Sequence, residues 1–271
     1  MHQVRHPAVA GAFYPGRGQV LAKDVAALLE VASAGVALTA AVPKAIIVPH
    51  AGYIYSGATA ALAYARLVSA RNTIRRVVLL GPVHRVAIRG LALPGVDAFA
   101  TPLGEIELDQ AAVAAITPLR QVQVSPAAHA QEHALEVQLP FLQMVIDDFK
   151  LLPLAVGDAT PADVAEVLDL LWGGAETLIV ISSDLSHFLP YGAAQAVDRE
   201  TVQSILELNG SLGHEQACGA TPVNALLLAA RRHHLQPQLL GLCNSGDTAG
   251  DPDRVVGYAS FALMEGSNHV P

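Results

Sequence analysis

Short apolar runs that alternate with longer amphipathic stretches are the feature that most constrains the fold of this chain. The apolar runs lie at residues 45–48, 77–80, 151–156, 178–181, 239–242 and 255–263. Runs this short and unbroken are typical of strands buried on both faces. Helical spacing of apolar residues fills the gaps, at 22–34, 58–68, 133–146, 161–171, 193–208 and 223–233. The alternation predicts an α/β fold with a central, mostly parallel or mixed sheet flanked by helices.

Composition narrows the class of protein further. The 271 residues are 52% hydrophobic and 15% charged, so the chain has ample material for a core and is not typical of a disordered protein. No repeat or low-complexity linker divides it, which favours a single domain over 1–271. The net charge of −8 argues against binding to nucleic acid or to an anionic membrane surface, because both need clustered cations.

The cysteines and the N-terminus indicate a cytoplasmic protein. Two cysteines, Cys218 and Cys243, do not make a disulfide framework and are typical of a reducing compartment. The first residues lack the apolar run of a signal peptide, and no apolar stretch reaches the roughly 18 residues that a membrane-spanning helix needs. The low charge and high apolar content are compatible with a homo-oligomer interface.

Histidines follow three of the predicted strands. His50 comes two residues after the run 45–48, His84 comes shortly after 77–80, and His187 comes six residues after 178–181. In open α/β sheets, ligands bind beyond the carboxyl ends of the strands, where loops converge. One such histidine would be a surface or capping residue, but three in the same topological place predict a site. Neutral imidazole is a ligand for Fe, Zn or Cu, so a metal site with an open coordination position is the favoured interpretation.

Two other segments carry polar residues in suggestive patterns. Asp184 lies close to His187 and is expected either to pair with that imidazole or to cap the following helix. His133 and Glu136 have i,i+3 spacing on a predicted helix face, with Glu132 in its first turn. For His133, a site role and a structural role are equally compatible with the pattern. His129 is expected to be a solvated loop residue.

The loop 243–251 is rich in glycine and short polar side chains. It is expected to be either a plain turn or a loop whose backbone approaches a ligand closely. Cys243 continues the preceding strand and is assigned to the core. Cys218 has no chemical neighbour in the sequence and is assigned a structural role.

Four ordered segments resemble the Memo family, whose bacterial members are called AmmeMemoRadiSam system protein B. They are VPHAGYIYSG at 48–57, GPVH at 81–84, EHALEVQLP at 132–140 and SSDLSH at 182–187. The similarity runs from the segment 11–15 to the strand 255–263, which is nearly the whole chain. The family resembles the class III extradiol dioxygenases of the LigB type in fold.

The resemblance implies roles for particular residues. His50 and His84 would be metal ligands, His187 would be the acid/base with Asp184 beside it, and His133 would line the pocket. Animal members complete the metal set with a cysteine, at the position that Thr248 occupies here. Asp247, just before it, would restore a two-histidine-one-carboxylate set suited to Fe(II), so Fe(II) is the favoured divalent metal, with copper or zinc as alternatives.

Three functions compete at this point. The first is a metal-dependent oxidoreductase that acts on a small aromatic substrate with dioxygen. The second is a non-catalytic binding or assembly module that recognises a peptide or works with radical-SAM and AMMECR-type protein partners. The third is a zinc hydrolase with Glu132 or Glu136 as base, for which the spacing matches no known zincin motif.

Overall fold

The computed structural model describes residues 2–34 and 41–266, and it contains a strand at each of the six predicted runs. The strands are β1 (Val4–Arg5), β2 (Ala45–Val48), β3 (Arg76–Pro82), β4 (Leu91–Leu93), β5 (Ala98–Thr101), β6 (Gly104–Glu107), β7 (Val122–Val124), β8 (Lys150–Val156), β9 (Thr177–Ser182), β10 (His187–Leu189), β11 (Leu235–Asn244) and β12 (Val255–Glu265). The helices are α1 (Gly18–Ser33), α2 (Tyr53–Tyr64), α3 (Gln110–Ile116), α4 (Pro126–Ala130), α5 (Leu139–Val145), α6 (Pro161–Leu171), α7 (Tyr191–Leu206) and α8 (Ala220–Arg232). The predicted α/β class is confirmed.

The main sheet is mixed, with nine strands among the described residues in the order β10-β12-β2-β9-β3-β8-β4-β7, and β11 also pairs with β12. Its centre is parallel, because β2, β9, β3 and β8 all run in the same direction. The strands on either side of this centre, β12 and β4, are antiparallel to it. A smaller sheet joins β1, β5 and β6 and ties the N-terminal segment to the body of the protein.

The central strands are apolar along their whole length because helices cover both faces of the sheet. Alternate residues of β3 point to opposite sides: Val78 and Leu80 join one core cluster, and Val77 and Leu79 join the other. Helices α6 and α8 contribute to the first cluster, and α1, α2 and α5 contribute to the second. Burial on two faces is the physical reason for the unbroken apolar runs.

The predicted helix at 133–146 is only partly formed. Residues 133–135 are a loop, a 3-10 turn follows at Glu136–Gln138, and α5 covers the rest. The prediction was wrong over the first residues. The backbone N–H of His133 donates to the Glu132 carboxylate, whereas the Glu136 carboxylate accepts hydrogen bonds from the N-terminal segment, so the two residues do not share one helix face. Within the described ranges, no helix is both long and apolar enough to cross a membrane.

Candidate metal centre

Three strands that lie side by side end at the same edge of the sheet and lead into the polar residues named above. β2 runs into His50, β3 runs into His84, and β9 runs into the segment 182–187. Because β9 lies between β2 and β3, the three following segments converge. The arrangement is the common location of ligand sites in open α/β sheets.

His133 reaches the same place from the loop that precedes α5. Gly81, in β3, allows this loop to pack closely, since a Cβ atom at that position would lie 3.0 Å from Leu135 Cδ2 and 3.3 Å from Ala134 Cβ. Any larger residue at 81 would push the loop away from the end of β3. The close approach brings His133 beside the two histidines that follow the strands.

The three imidazoles form one cluster. The ring centroids are 5.3 Å apart for His50 and His84, 5.4 Å for His50 and His133, and 4.7 Å for His84 and His133. One nitrogen from each ring can be chosen so that all three lie within 4.8 Å of one another. Three imidazole nitrogens at this spacing can hold a single metal ion.

Glu132 orients two of these rings. Its Oε1 accepts hydrogen bonds from His84 Nδ1 at 2.8 Å and from the backbone N–H of His133 at 2.9 Å, and it lies 3.4 Å from His133 Nδ1. Its Oε2 accepts the backbone N–H of His84 at 2.6 Å. Burial by itself would raise the pKa of Glu132, but the hydrogen bond and charge of His84 and the backbone donors outweigh it and lower the pKa to about 2. The carboxylate is therefore ionised and directs the Nε2 atoms away from itself.

Ser182 orients the third ring. Its hydroxyl donates to the Ala134 carbonyl at 2.6 Å and accepts from Gln138 Nε2 at 2.9 Å. The hydroxyl has only one hydrogen, so His50 Nδ1, 2.9 Å away, must be the donor in their contact. The proton on Nδ1 leaves the lone pair of His50 on Nε2, which is the atom available to a ligand.

The electrostatics keep two of these rings, those of His50 and His133, neutral. Burial, followed by the charge of His84, lowers the pKa of His50 to about 3. Burial, followed by the charge of His50, lowers the pKa of His133 to about 4. Both imidazoles are uncharged at neutral pH, as a metal ligand must be, so the residues fit a bound divalent cation.

Asp184 and His187 lie next to the cluster. Asp184 Oδ1 accepts the backbone N–H of His50 at 2.7 Å, and its Oδ2 is 3.9 Å from His50 Nε2. Burial raises the pKa of Asp184, while the N–H of His50 and the charges of His187 and His133 act in the opposite direction. His187 is half-buried in β10, where it pairs with Val256 of β12.

Asp247 and Thr248, the expected third ligands, are engaged elsewhere. Asp247 accepts the Tyr191 hydroxyl at 2.5 Å on Oδ1 and the Asn244 N–H at 2.9 Å on Oδ2, and the Thr248 hydroxyl donates to the Ser245 carbonyl. Their loop follows β11, and β12 lies between β11 and β2. With one strand between them, β11 and β2 are two strand spacings, or about 10 Å, apart. The structure thus groups His133, and not these two residues, with His50 and His84.

Cys218 is a neighbour that the sequence does not reveal. Its Sγ lies 3.3 Å from His50 Nε2. Burial, followed by the charge of Asp184, raises the pKa of the Cys218 thiol to about 12, so the S–H donates to the lone pair on that nitrogen. The predicted helix at 223–233 begins five residues after Cys218, so no sequence signal placed this thiol at the sheet edge; the observed helix α8 begins earlier, at Ala220.

Glu136 binds the N-terminal segment to the site. Its buried carboxylate accepts the Tyr14 hydroxyl at 2.5 Å and the backbone N–H groups of Ala8 and Val9, and it pairs with Arg5. The same segment places the Phe13 ring 4.8 Å from the His133 ring. Both carboxylates considered as hydrolytic bases, Glu132 and Glu136, are thus already occupied by protein donors, which disfavours the zinc hydrolase.

Two further expectations differ from the structure. His129, expected to be solvated, is buried in α4, where its Nε2–H donates to the Ala92 carbonyl at 2.8 Å. Cys243, assigned to the core, is half-buried in β11 with its sulfur 3.1 Å from Thr59 Oγ1. Neither side chain belongs to the histidine cluster.

Comparison with known proteins places the chain among relatives of nearly equal length. The family model described as "Memo-like protein" matches residues 5–262. A MEMO1 family protein of Methanosarcina barkeri is 36% identical over 277 residues, covering 96% of this chain and 100% of the relative. A MEMO1 family protein of Aquifex aeolicus is 36% identical over 278 residues, covering 97% and 100%.

Among solved structures, an uncharacterized protein from Escherichia coli K12 is similar with a TM-score of 0.49 and 14% identity. The match covers 81% of this chain and 98% of that one. The family model and the curated relatives together confirm the resemblance carried by the four sequence motifs, and the chain belongs to the Memo family.

Proposed function

We propose that His50, His84 and His133 hold one divalent metal ion and that the chain is a metal-dependent oxidoreductase acting on a small aromatic substrate. One observation carries the proposal: one nitrogen from each of the three rings lies within 4.8 Å of the other two, while the Nδ1 of each ring lies within 3.4 Å of a protein oxygen that can orient it. Three protein ligands leave coordination positions open for substrate, which is the usual composition of a catalytic site.

Fe(II) is the metal we favour. Imidazole nitrogen suits iron, copper and zinc alike, so the ligand set alone does not discriminate among them. The preference for iron rests on the fold resemblance of the Memo family to the class III extradiol dioxygenases, which are non-haem Fe(II) proteins. A bound Fe(II) would supply the redox chemistry that dioxygen requires.

The protein groups around the ion have distinct roles in this proposal. His187, half-buried beside the cluster, gives and takes the substrate proton. Asp184 positions the His50 backbone through Oδ1 and stabilises a positive charge on His187. Phe13, packed on His133, forms an apolar wall that keeps water away and against which a planar substrate can lie. In this proposal His133 takes the ligand role that the family resemblance implied for Asp247 or Thr248.

Elemental analysis tests the proposal. The protein is purified anaerobically without tag or chelator, alongside His50→Ala, His84→Ala and His133→Ala, with the exposed His214→Ala as matched control. We expect close to one metal ion per chain in the wild type and the control, and a loss of at least about tenfold in metal content in the three other variants.

A wild type that stays metal-free after anaerobic reconstitution with Fe(II), while remaining fully folded, would overturn the proposal. The second function, a binding or assembly module for a peptide or for radical-SAM and AMMECR-type partners, would then be the one to pursue. If metal binds, a screen of catechols with dioxygen tests the oxidoreductase activity itself.

A further inference from the structure

Two strongly exposed apolar side chains lie on the same face of the molecule. Val31 on α1 and Ile54 on α2 are 79% and 71% exposed, the highest values for large apolar residues in the described ranges. Both line a groove of about 800 Å³, which is also lined by Leu242 of β11. Because folded proteins rarely leave a contiguous apolar face in water, this groove and its rim indicate an interaction surface.

The outer face of α1 continues the apolar surface. Val20, Ala27 and Val31 are all exposed, and their spacing of seven and four residues places them along one stripe of the helix. The opposite side of α1 is the one that packs on the protein, through Leu21 and Val25. An apolar stripe on the solvent side of a helix is typical of a helix that packs against a second partner.

Lys23 and Glu30 border this stripe along one edge. They are seven residues apart, about two helical turns, and Ala26 and Ala27 lie midway between them. Neither has an opposite charge three or four residues away on α1, and neither forms an ion pair with another described residue. Both charges are therefore available to a partner.

The pattern is complementary to itself. In a two-fold interface the same patch lies on both subunits, so each feature must find its complement on an identical surface. Two antiparallel copies of α1 that meet at Ala26 and Ala27 bring each Lys23 opposite the partner's Glu30, and the small alanines allow close approach. The charges of segment 17–33 sum to zero although the whole chain carries −8, so the two faces do not repel each other.

We infer that the chain forms a two-fold dimer through this face, with α1 packed antiparallel on α1 of a second copy. Association removes Val31 and Ile54 from water, which supplies the driving force. The two Lys23–Glu30 pairs fix the direction and the register of the helices. The inference goes beyond the proposed function and does not depend on the metal site.

Sedimentation velocity of the full chain tests the inference. We expect the wild type to be a dimer that dissociates reversibly on dilution. Val31→Lys places a charge in the interface from each copy and should raise the dissociation constant at least about tenfold. Leu170→Lys is the matched control, because Leu170 is 55% exposed on α6, and it should leave the constant unchanged.

Charge exchange tests the antiparallel register. Glu30→Lys sets lysines opposite each other at two places in the interface and should raise the dissociation constant about three- to tenfold. The double variant with Lys23→Glu and Glu30→Lys restores opposite charges and should return the constant to within about twofold of the wild-type value. These side chains are exposed in the single chain, so the variants should fold, which circular dichroism verifies.

Cross-linking gives a second readout of the same geometry. In Ala27→Cys the new thiols lie beside the two-fold axis, so oxidised glutathione should join two copies by a disulfide. Ser33→Cys, exposed at the end of the same helix, should stay unlinked.

Three results would each overturn the inference. They are a wild type that is monomeric at every concentration, a dimer that Val31→Lys does not weaken, and single charge variants whose weakening the double variant does not reverse. Metal content enters none of these measurements, so their outcome is separate from that of the metal site.

Discussion

Glu132 holds His84 from two sides: Oε2 accepts the backbone N–H of His84 at 2.6 Å, and Oε1 accepts the ring Nδ1 at 2.8 Å. A carboxylate in this position fixes the ring orientation and makes Nε2 more basic. Because Oε1 also accepts the His133 N–H, one side chain sets the geometry of two of the three imidazoles.

Glu132→Gln should therefore weaken metal binding by about 10- to 100-fold. The amide replaces one acceptor oxygen by an NH₂ group that would face a donor. Affinity is measured by competition with a chromophoric chelator, with the exposed Glu107→Gln as control. Equal affinity of both variants, in protein shown to be folded by circular dichroism, would contradict the orienting role of Glu132.

His187→Ala should leave the metal content unchanged and reduce turnover by about 10²- to 10⁴-fold, the usual contribution of a positioned acid/base. His187 is outside the group of three ring nitrogens, so its removal takes no ligand away. Metal content and turnover are measured on the same samples. Loss of metal in this variant would show that His187 is a ligand.

Tyr14→Phe should destabilise the fold by about 1–3 kcal/mol, because it removes a buried hydrogen bond to the Glu136 side chain. Tyr191→Phe is the matched control, since its hydroxyl also bonds a carboxylate at 2.5 Å, that of Asp247, but at an exposed position. We expect a much smaller change there. Urea unfolding of both variants gives the comparison, and equal losses would contradict the dependence on burial.

His129 should make stability depend on pH in the acid range. Burial is the main reason that its pKa falls from 6.5 to about 4 in the folded protein. Between these values the unfolded chain binds a proton that the folded chain does not, so stability is full above pH 6.5 and falls towards pH 4. The loss from this residue amounts to about 3 kcal/mol.

His129→Gln isolates that contribution, because its amide can still donate to the Ala92 carbonyl. His50 and His133 add losses of the same sign, so the difference between variant and wild type is the relevant quantity. Metal-free protein is unfolded in urea at several pH values between 4 and 7. Parallel profiles for the two proteins would contradict a neutral, buried His129.

Local pattern was sufficient to predict the strands and the position of two of the three clustered histidines, His50 and His84. Each of the six apolar runs is a strand because burial on both faces excludes polar residues from it. His50 and His84 directly follow such strands, so chain connectivity puts them at the sheet edge wherever their strands lie. The four family motifs were recognisable for the same reason, since each is a short contiguous segment.

The completion of the site was decided by tertiary structure. β9 lies between β2 and β3, so Ser182 and Asp184 at its end contact His50. β12 lies between β2 and β11, so Asp247 after β11 is farther away and bonds Tyr191 instead. The helical spacing of His133 and Glu136 was misleading. His133 is held by a hydrogen bond to Glu132, and Glu136 is held by the N-terminal segment through Tyr14.

The sequence by itself determined which segments are buried strands and therefore which histidines lie at their carboxyl ends. Only the tertiary structure decided that His133 and Cys218 join them, and that His129 is buried away from them. The physical reason is the sequence separation of the interacting residues. The periodicity of burial is a property of residues that are neighbours in the sequence. The contacts of Cys218 with His50 and of Gly81 with the 134–135 loop join residues that are more than fifty positions apart along the chain.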